Sequence, residues 1–397
     1  MTIEYREYRP EDAIEVCDLL NLVFPRAAIS HEGWAELTAE DFTAPVAVLD
    51  GRIVGAIPMK RRVYRAAPGC DVAIWVLFRV GVSADHQGRG IGSGMQRAIK
   101  EFLHDRGDAL LVNTCGKASR QYQFYRRNGL FDVAGPQRFI ADPPDNGSGP
   151  AMDGFRKIKP DEFLADISRW VEIHESCYGA AGGYPVRSEA YPYGWLTSGH
   201  RRAALPAVVY GIIGPAARPL GYAILAESKD SVRVHELAAR DGDADAMAQL
   251  LAGIRSLGRP VTLSASYGTP LWDILNEMCA RRSAREERVR PVIVHILNIE
   301  SAAEAVWKDV PQLENVAVTV KTHTREGTLH PAESPEKTIL LQLHEQTLSR
   351  LLMRRLNVAQ AVREERIAIT GALQSDIDAL TEALSPCPWI YHEVDGL

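Results

Sequence analysis

The spacing of apolar residues changes from that of a strand to that of a helix across one glycine-rich segment. Residues 75–82 form a mostly apolar run of strand length, rich in β-branched and aromatic side chains. Beyond the glycines, apolar residues recur at helical spacing before Gly107, and they are Met95, Ile99, Phe102 and Leu103. The pattern predicts a strand, a glycine-rich turn and an amphipathic helix, in that order.

Further elements are predicted around this segment in the first third of the chain. Pro25 opens a predicted loop that holds His31 and Trp34. Residues 46–57 are predicted to form a hairpin, because Asp-Gly favours a two-residue turn between strands. The other predicted elements are a strand that ends at Pro10, a helix that ends at Phe24, a strand at 109–114, a helix at 119–127 and a strand at 129–133.

The order of elements repeats once in the middle of the chain. The predicted elements there are strands at 219–225 and 232–237, a helix at 244–257, a strand at 261–265 and a helix at 271–281. At the junction that corresponds to the glycine-rich turn, residues 238–245 carry three aspartates and one glycine. Carboxylates at that point repel phosphate. We therefore expect the same fold without a phosphate site.

The pattern changes again from about residue 296. The predicted elements are strands at 316–320, 338–343 and 367–371 and helices at 345–356 and 374–384. An Asp-, Pro-, Gly- and Ser-rich stretch at 141–150 is a predicted linker. We expect a mixed α+β protein with domains at 1–145, 151–295 and 296–397.

Composition narrows the class of protein. The chain has 397 residues, of which 46% are hydrophobic and 24% charged, and its net charge is −6. A negative net charge argues against a general nucleic-acid binder, and no apolar stretch reaches the roughly 20 residues that span a membrane. The six cysteines are scattered without a C-x-x-C pair, and the N-terminus lacks a signal-peptide core. We expect a cytoplasmic protein without a metal site.

The glycine-rich turn suggests a binding site for a diphosphate. Gly88, Gly90 and Gly92 alternate along the chain, so no side chains shield the neighbouring backbone N–H groups. These groups lie at the predicted start of a helix, where the helix dipole favours an anion. The segment lacks the Gly-Lys-Ser/Thr of a P-loop. It also does not fit G-x-G-x-x-G, because the third glycine would fall on Ser93 or Met95.

The spacing Gln87-x-x-Gly90-x-Gly92 resembles the diphosphate loop of the GNAT superfamily of acyl-CoA-dependent N-acyltransferases. Over nearly its full length the chain resembles the Eis (enhanced intracellular survival) acetyltransferases of that superfamily. The supporting segments are residues 124–130, which match the family's Y-x-R-x-G-F/Y pattern, and residues 221–223, 235–237, 270–271, 348–351, 370–371, 388–389 and 395–397. The chain departs from the pattern at Leu130, where an aromatic residue is usual, and at Leu397, where many members end in phenylalanine.

The resemblance implies a catalytic GNAT domain, a degenerate second GNAT domain and a C-terminal domain like sterol carrier protein 2, assembled into hexamers. It also implies direct acetyl transfer from acetyl-CoA to a small, aminoglycoside-like amine in a ternary complex. The implied residues are Val80 and Val82 for the pantetheine arm and thioester, Gln87, Gly88, Arg89, Gly90 and Gly92 for the diphosphate, Tyr125 as general acid, the Leu397 main-chain carboxylate as general base, and Phe24, Trp34, Glu393 and Asp395 for the acceptor.

Other interpretations of the same residues stay open. Phe24 and Trp34 can equally be core residues, Arg89 can face solvent, and the tail that ends at Leu397 can be frayed. Glu393 and Asp395 are equally well explained as solvated terminal charges. The acceptor can instead be a protein lysine, a peptide or a polyamine, and the donor can carry a longer acyl chain. A third interpretation is a CoA- or lipid-binding protein without turnover.

Overall fold

The computed structural model describes residues 2–25, 28–113, 116–144, 154–187, 207–215 and 218–390. Its α-helices are α1 Ala13–Val23, α2 His31–Thr38, α3 Ile91–Leu103, α4 Arg120–Arg127, α5 Pro160–Ala165, α6 Ile167–Tyr178, α7 Ala244–Arg255, α8 Pro270–Ala280, α9 Ile299–Val306, α10 Glu345–Leu352, α11 Val358–Arg363 and α12 Gln374–Ala383. No helix in these ranges is both long enough and apolar enough to cross a membrane.

The strands that follow one another from the N-terminus to the middle of the chain are β1 Glu4–Glu7, β2 Phe42–Thr43, β3 Pro45–Leu49, β4 Arg52–Ala56, β5 Met59–Ala67, β6 Cys70–Leu77, β7 Gly81–Val82, β8 Ala109–Asn113, β9 Phe131–Ala134, β10 Gln137–Ala141, β11 Phe155–Ile158 and β12 Tyr184–Pro185. The later strands are β13 Ala207–Ile213, β14 Pro219–Glu227, β15 Val232–Ala239, β16 Val261–Ala265, β17 Ala284–Val289, β18 Val292–Ile296, β19 Val316–Lys321, β20 Glu326–His330, β21 Lys337–Leu343 and β22 Ile367–Thr370.

Two sheets diverge in the first unit of the chain. One has the order β1-β3-β4-β7 and the other the order β12-β5-β6-β8-β18-β9, with β2 also paired to β5. The predicted strand at 75–82 is therefore interrupted, because β6 ends at Leu77 and β7 joins the first sheet. The parallel pairing of β6 with β8 covers only residues 74–76 and 109–111. A gap thus opens between β7 and the C-terminal end of β8.

Three strands cross the domain boundaries that the sequence predicts, and one of them is β12, which pairs with β5 of the first unit. β10 lies between β16 and β17 in the sheet of the second unit, which has the order β11-β13-β14-β15-β16-β10-β17. β18 lies in the sheet of the first unit, where it pairs with both β8 and β9. The predicted linker also begins inside β10, at Ala141, and residues 145–150 lie outside the described ranges. The first unit consequently gives one strand, β10, to the second and receives two, β12 and β18.

The third unit packs against the first. Its sheet has the order β20-β19-β21-β22, and α10 and α12 each carry a buried apolar face. One continuous core joins buried residues of the first unit, such as Ile74 and Leu111, to Leu341 and Leu348 of the third. Burial of this shared surface stabilises the contact between the two units.

Local signals explain two predictions that were wrong. The expected loop after Pro25 contains α2, whose first turn is capped by the Ser30 hydroxyl accepting from the Gly33 amide at 3.1 Å. The helix expected at 345–356 ends at Leu352, because Arg354 has the left-handed φ of 53° that stops a helix.

Candidate active site

The main-chain amide of Val82 faces the gap between β7 and β8, and Val80 lies directly before β7. In the antiparallel pair of β4 and β7, Ser83 donates its N–H to the Val54 carbonyl at 2.8 Å. Val82 lies opposite Gly55, one position earlier. Because hydrogen-bonded and non-hydrogen-bonded pairs alternate along an antiparallel ladder, the N–H group of Val82 points away from β4. The divergence of the strands thus leaves this main-chain donor directed into the gap.

The glycine-rich turn presents open backbone at the start of α3. Gly88 and Gly90 have left-handed φ angles of 76° and 78°, which only glycine adopts without strain. A Cβ atom on either residue would have no neighbour within 4 Å. Gly90 is the N-cap of α3, and no side chain among the described residues caps this helix. Free amides at the positive end of a helix dipole fit the diphosphate of CoA.

Gln87 supports the turn through the strand before it. Its Nε2 donates to the Val82 carbonyl at 3.0 Å, so the side chain holds the turn against β7. Both Gln87 and Arg89 are exposed. Arg89 is therefore available to an anion from solvent, whereas the Gln87 amide is already bound to Val82.

Helix α4 brings Tyr125 to the same place. Ser119 caps α4 by accepting from the Tyr122 amide at 3.1 Å. A Cβ atom on Gly92 would lie 3.1 Å from the Phe124 ring, so α4 packs closely on the first turn of α3. Tyr125 is 1% exposed and belongs to a core against which Val80 and Val82 also pack. The structure therefore brings the glycine-rich turn, the strand amides and Tyr125 together.

Burial determines the protonation of Tyr125. Removal from water disfavours the phenolate, so burial raises the pKa of Tyr125 above its ordinary value of 10, and a hydrogen bond with Gln121 offsets this only in part. The phenol is consequently protonated at neutral pH. In this structure its ring lies within the core, so a proton acceptor has to reach it from the gap.

A second tyrosine on the same face of α4 was not singled out from the sequence. Tyr122 donates its hydroxyl to the Asp132 carboxylate at 2.9 Å. Burial and this hydrogen bond raise the pKa of Tyr122 to about 12. The separation of three residues between Tyr122 and Tyr125, which places two side chains on one helix face, was the available sequence signal.

The face of the β1-β3-β4-β7 sheet opposite α3 is covered by α1 and α2. Phe24, the C-cap of α1, is half-buried. Trp34 is 1% exposed and packs edge-on against Phe42 with ring centroids 5.7 Å apart. Trp34 is therefore a core residue here and has no surface for an acceptor. Asn21 ties the loop between the helices to α1, since its side-chain amide donates to the Ile29 carbonyl at 2.8 Å and accepts from the Ile29 amide at 2.9 Å.

The predicted tail residues Glu393, Asp395 and Leu397 lie outside the described residues. The last described segment is fixed by Trp389, whose Nε1 donates to the Ala66 carbonyl at 2.9 Å. No group of three or more His, Cys, Asp or Glu side chains that could hold a metal ion is found in the described ranges.

The corresponding turn of the second unit is closed to an anion. The Asp243 carboxylate accepts from the amides of Asp245 and Ala246 at 2.9 and 3.1 Å. This cap occupies the first turn of α7 with a negatively charged group, at the position where α3 has Gly90. The two units thus differ in the donors that a diphosphate needs.

Residues 40–129 match a protein family described as "Acetyltransferase (GNAT) domain". The chain therefore carries an acetyltransferase domain of the GNAT type and is an enzyme of this class. No curated protein is found to match the chain.

Solved structures show the same fold over the full chain. A probable N-acyltransferase from Enterococcus faecalis V583 is 13% identical with a TM-score of 0.74, over 98% of this chain and 99% of the other. A GCN5-related N-acetyltransferase from Anabaena variabilis is 15% identical with a TM-score of 0.70, over 98% and 99%. Eis1 from Mycobacterium abscessus is 13% identical with a TM-score of 0.61, over 99% of both chains. At these identities the similarity shows the fold alone.

Proposed function

We propose that this GNAT-type acetyltransferase transfers an acetyl group from acetyl-CoA to a primary amine, with both substrates bound in the gap between β7 and β8. The observation that carries the proposal is the convergence of three features. They are the uncapped glycine-rich start of α3, the Val82 amide directed into the gap and the protonated phenol of Tyr125. Each supplies a group that aminolysis of a thioester needs.

The glycine-rich turn and the strand hold the acyl donor in this proposal. The amides between Gly88 and Gly92 bind the diphosphate, with Arg89 as an exposed counter-charge. Acetyl-CoA supplies a thioester whose carbonyl carbon accepts the amine. The amide of Val80 donates to the thioester oxygen, and that of Val82 to the pantetheine arm. One such donor to a developing oxyanion lowers the barrier by roughly 3–4 kcal/mol.

Tyr125 acts as the general acid in this proposal. Its hydroxyl gives a proton to the sulfur as the carbon–sulfur bond breaks, which avoids a free thiolate in the gap. A raised pKa keeps this proton available over the whole neutral range. Burial of the sulfur beside the phenol disfavours the thiolate as well, so both partners favour the protonated thiol.

The main-chain carboxylate of Leu397, the last residue of the sequence, is proposed as the base that accepts the amine proton. The support is the direction of the chain before it. Trp389 forms a parallel bridge with Gly182, and residues 183–186 then run antiparallel to β5. Residues 183–186, beside whose start Trp389 lies, thus lead toward the end of β5 that adjoins the gap.

The length of the tail is sufficient for this role. Seven residues follow Ile390, and an extended segment of seven residues spans at most roughly 24 Å. The seven steps along β5 from Ala66 to Met59 cover roughly 23 Å. Desolvation in the gap would raise the carboxylate pKa toward the range that a base needs. Glu393 and Asp395 would then lie near the entering amine.

The remaining parts of the proposal concern the other units and the acceptor. We propose a second unit that shares the GNAT fold without a CoA site, supported by the Asp243 cap, and a third unit like sterol carrier protein 2. The resemblance to Eis enzymes implies an aminoglycoside-like acceptor and a hexamer in the cytoplasm. Protein lysines, peptides and polyamines are the alternative acceptors.

Release of CoA thiol in a single turnover, measured against a panel of amines, tests the proposal. The unaltered protein, Tyr125→Phe and a variant lacking Leu397 are compared, and acetyl-CoA binding is measured for each. We expect near-normal binding by all three, with a rate about 100-fold or more lower for each variant, as is typical for loss of an acid or base. Equal binding by all three without acetyl transfer to any amine would support the carrier interpretation and exclude the proposed enzyme.

A further inference from the structure

Arg79 occupies the point at which the chain leaves one sheet for the other. It lies between β6 and β7, directly before Val80, and its φ of 48° is in the left-handed region. An arginine gains nothing from this conformation by itself, because its Cβ crowds the following carbonyl oxygen. Left-handed backbone at a non-glycine residue concentrates at functional sites, where the surrounding structure holds it.

The guanidinium group of Arg79 lacks a partner among the described residues. The side chain is half-buried, and its Nη1 is fully buried without a hydrogen-bond acceptor. Burial lowers the pKa of Arg79, and no carboxylate among the described residues offsets this. The carboxylate of Asp18, next to Cys17, pairs with His31 at 2.8 Å. A buried cationic donor left unpaired is costly, and an anionic ligand would remove that cost.

Arg79 lies on the α1 side of the gap, because the residues around it pack there. A Cβ atom on Gly81 would lie 2.9 Å from Leu20 of α1, and Phe78 packs on the core that α1 and α2 form. Helices α3 and α4, with the diphosphate turn and Tyr125, cover the opposite face. In the proposed function the acyl donor occupies the side of α3 and α4, which leaves the side of Arg79 for the attacking amine.

We infer that Arg79 binds an anionic group of the acceptor, so that the acceptor is a small molecule with both a primary amine and a carboxylate or phosphate. The inference rests on the proposed function and narrows its acceptor class away from polycations. A guanidinium group binds a carboxylate or phosphate through two parallel N–H donors, which fixes orientation as well as charge. The bound anion holds the amine near the thioester carbon, one residue further along the chain.

Matched pairs of acceptors test the inference. β-Alanine is compared with propylamine, and O-phosphoethanolamine with ethanolamine, while spermidine serves as the polycation. We expect a kcat/KM about 10- to 100-fold higher for the anionic member of at least one pair, mostly through KM. The pair with the larger ratio identifies the preferred anion. Binding of the same molecules to the protein–CoA complex is measured by calorimetry, so that the comparison does not depend on turnover.

Arg79→Gln is the test variant, and Arg52→Gln, at an exposed position in β4, is the matched control. We expect the first to lose the preference in both rate and binding, and the second to retain it. Arg79→Lys keeps the charge without the paired donors and should retain only part of the preference. An unaltered ratio in Arg79→Gln, or equal binding of both members of each pair, would overturn the inference. Acetyl transfer to neutral amines or spermidine alone would overturn the inference and leave the proposed function intact. Selective binding of the anionic acceptors without any acetyl transfer would contradict only the proposed function.

Discussion

Replacing Gly90 with aspartate should give the first unit the cap that closes the second. In α7 the Asp243 carboxylate binds two amides of the first turn, at 2.9 and 3.1 Å. Gly90 is the corresponding N-cap residue of α3, and its φ is 78°. We predict that Gly90→Asp fills the amides that the diphosphate needs and adds a negative charge beside it. Gly90→Asn is the matched control, because it shares the shape and most of the backbone strain.

The charge should dominate the difference between the two variants. Both free variants can relax the turn away from the left-handed conformation, and restoring it on binding costs about 1 kcal/mol, which corresponds to about a fivefold weaker binding of acetyl-CoA. For unit charges roughly 5 Å apart at an effective dielectric constant of about 20, the repulsion is about 3 kcal/mol. That adds about two orders of magnitude to the dissociation constant of the aspartate variant, and salt reduces the difference.

Calorimetric titration with acetyl-CoA at two salt concentrations measures this difference, and thermal unfolding shows whether both variants are folded. We expect the aspartate variant to bind at least 100-fold more weakly than the unaltered protein, and the asparagine variant to lie between them. Equal binding by the two variants, close to that of the unaltered protein, would show that the diphosphate does not bind at the start of α3.

Three further outcomes follow from the titratable groups. Because burial holds the pKa of Tyr125 above 10, the single-turnover rate should not fall between about pH 8 and 10, and a loss with a midpoint below 9 would contradict its role as acid. Tyr122→Phe should keep the transfer rate but lower the free energy of unfolding by about 1–2 kcal/mol, since Asp132 loses this hydrogen bond and keeps only the ion pair with Lys117 at 3.7 Å. Burial alone would raise the pKa of Glu345, but hydrogen bonds from Arg325 and two threonines outweigh it and hold the pKa at about 2. Stability from Glu345 is therefore present above its ordinary pKa of 4.5 and lost as the pH falls toward 2, and chemical denaturation of Glu345→Gln at several pH values should show a weaker pH dependence there.

Local sequence signals were sufficient for elements that depend on near neighbours. The hairpin at 46–57 forms around Asp50 and Gly51, both with positive φ, as the Asp-Gly turn requires. The strand at 261–265 has the predicted bounds, and α3 follows the glycine-rich turn. In these segments apolar spacing and turn residues favour one structure before any distant contact forms.

Distant contacts decided the features that the sequence did not predict. The exchange of β10 and β18 depends on pairings with strands more than a hundred residues away, such as β10 with β16 and β18 with β8. The parallel pairing of β6 with β8 likewise ends at residue 76, because the chain beyond it pairs with β4 through β7. Nothing in the local pattern marks Arg79. Its proposed role depends on the absence of a hydrogen-bond acceptor for its guanidinium group among the described residues, which only the three-dimensional structure shows. α2 was missed because an eight-residue helix offers little periodicity, although Ser30 supplied its cap signal.

A crystal structure of the protein with CoA tests the central claim most directly. We predict that the diphosphate contacts the backbone amides between Gly88 and Gly92 and that the sulfur lies within hydrogen-bond distance, about 3.5 Å, of the Tyr125 hydroxyl. A complex with CoA bound elsewhere, or with packed side chains between the sulfur and Tyr125, would contradict the account.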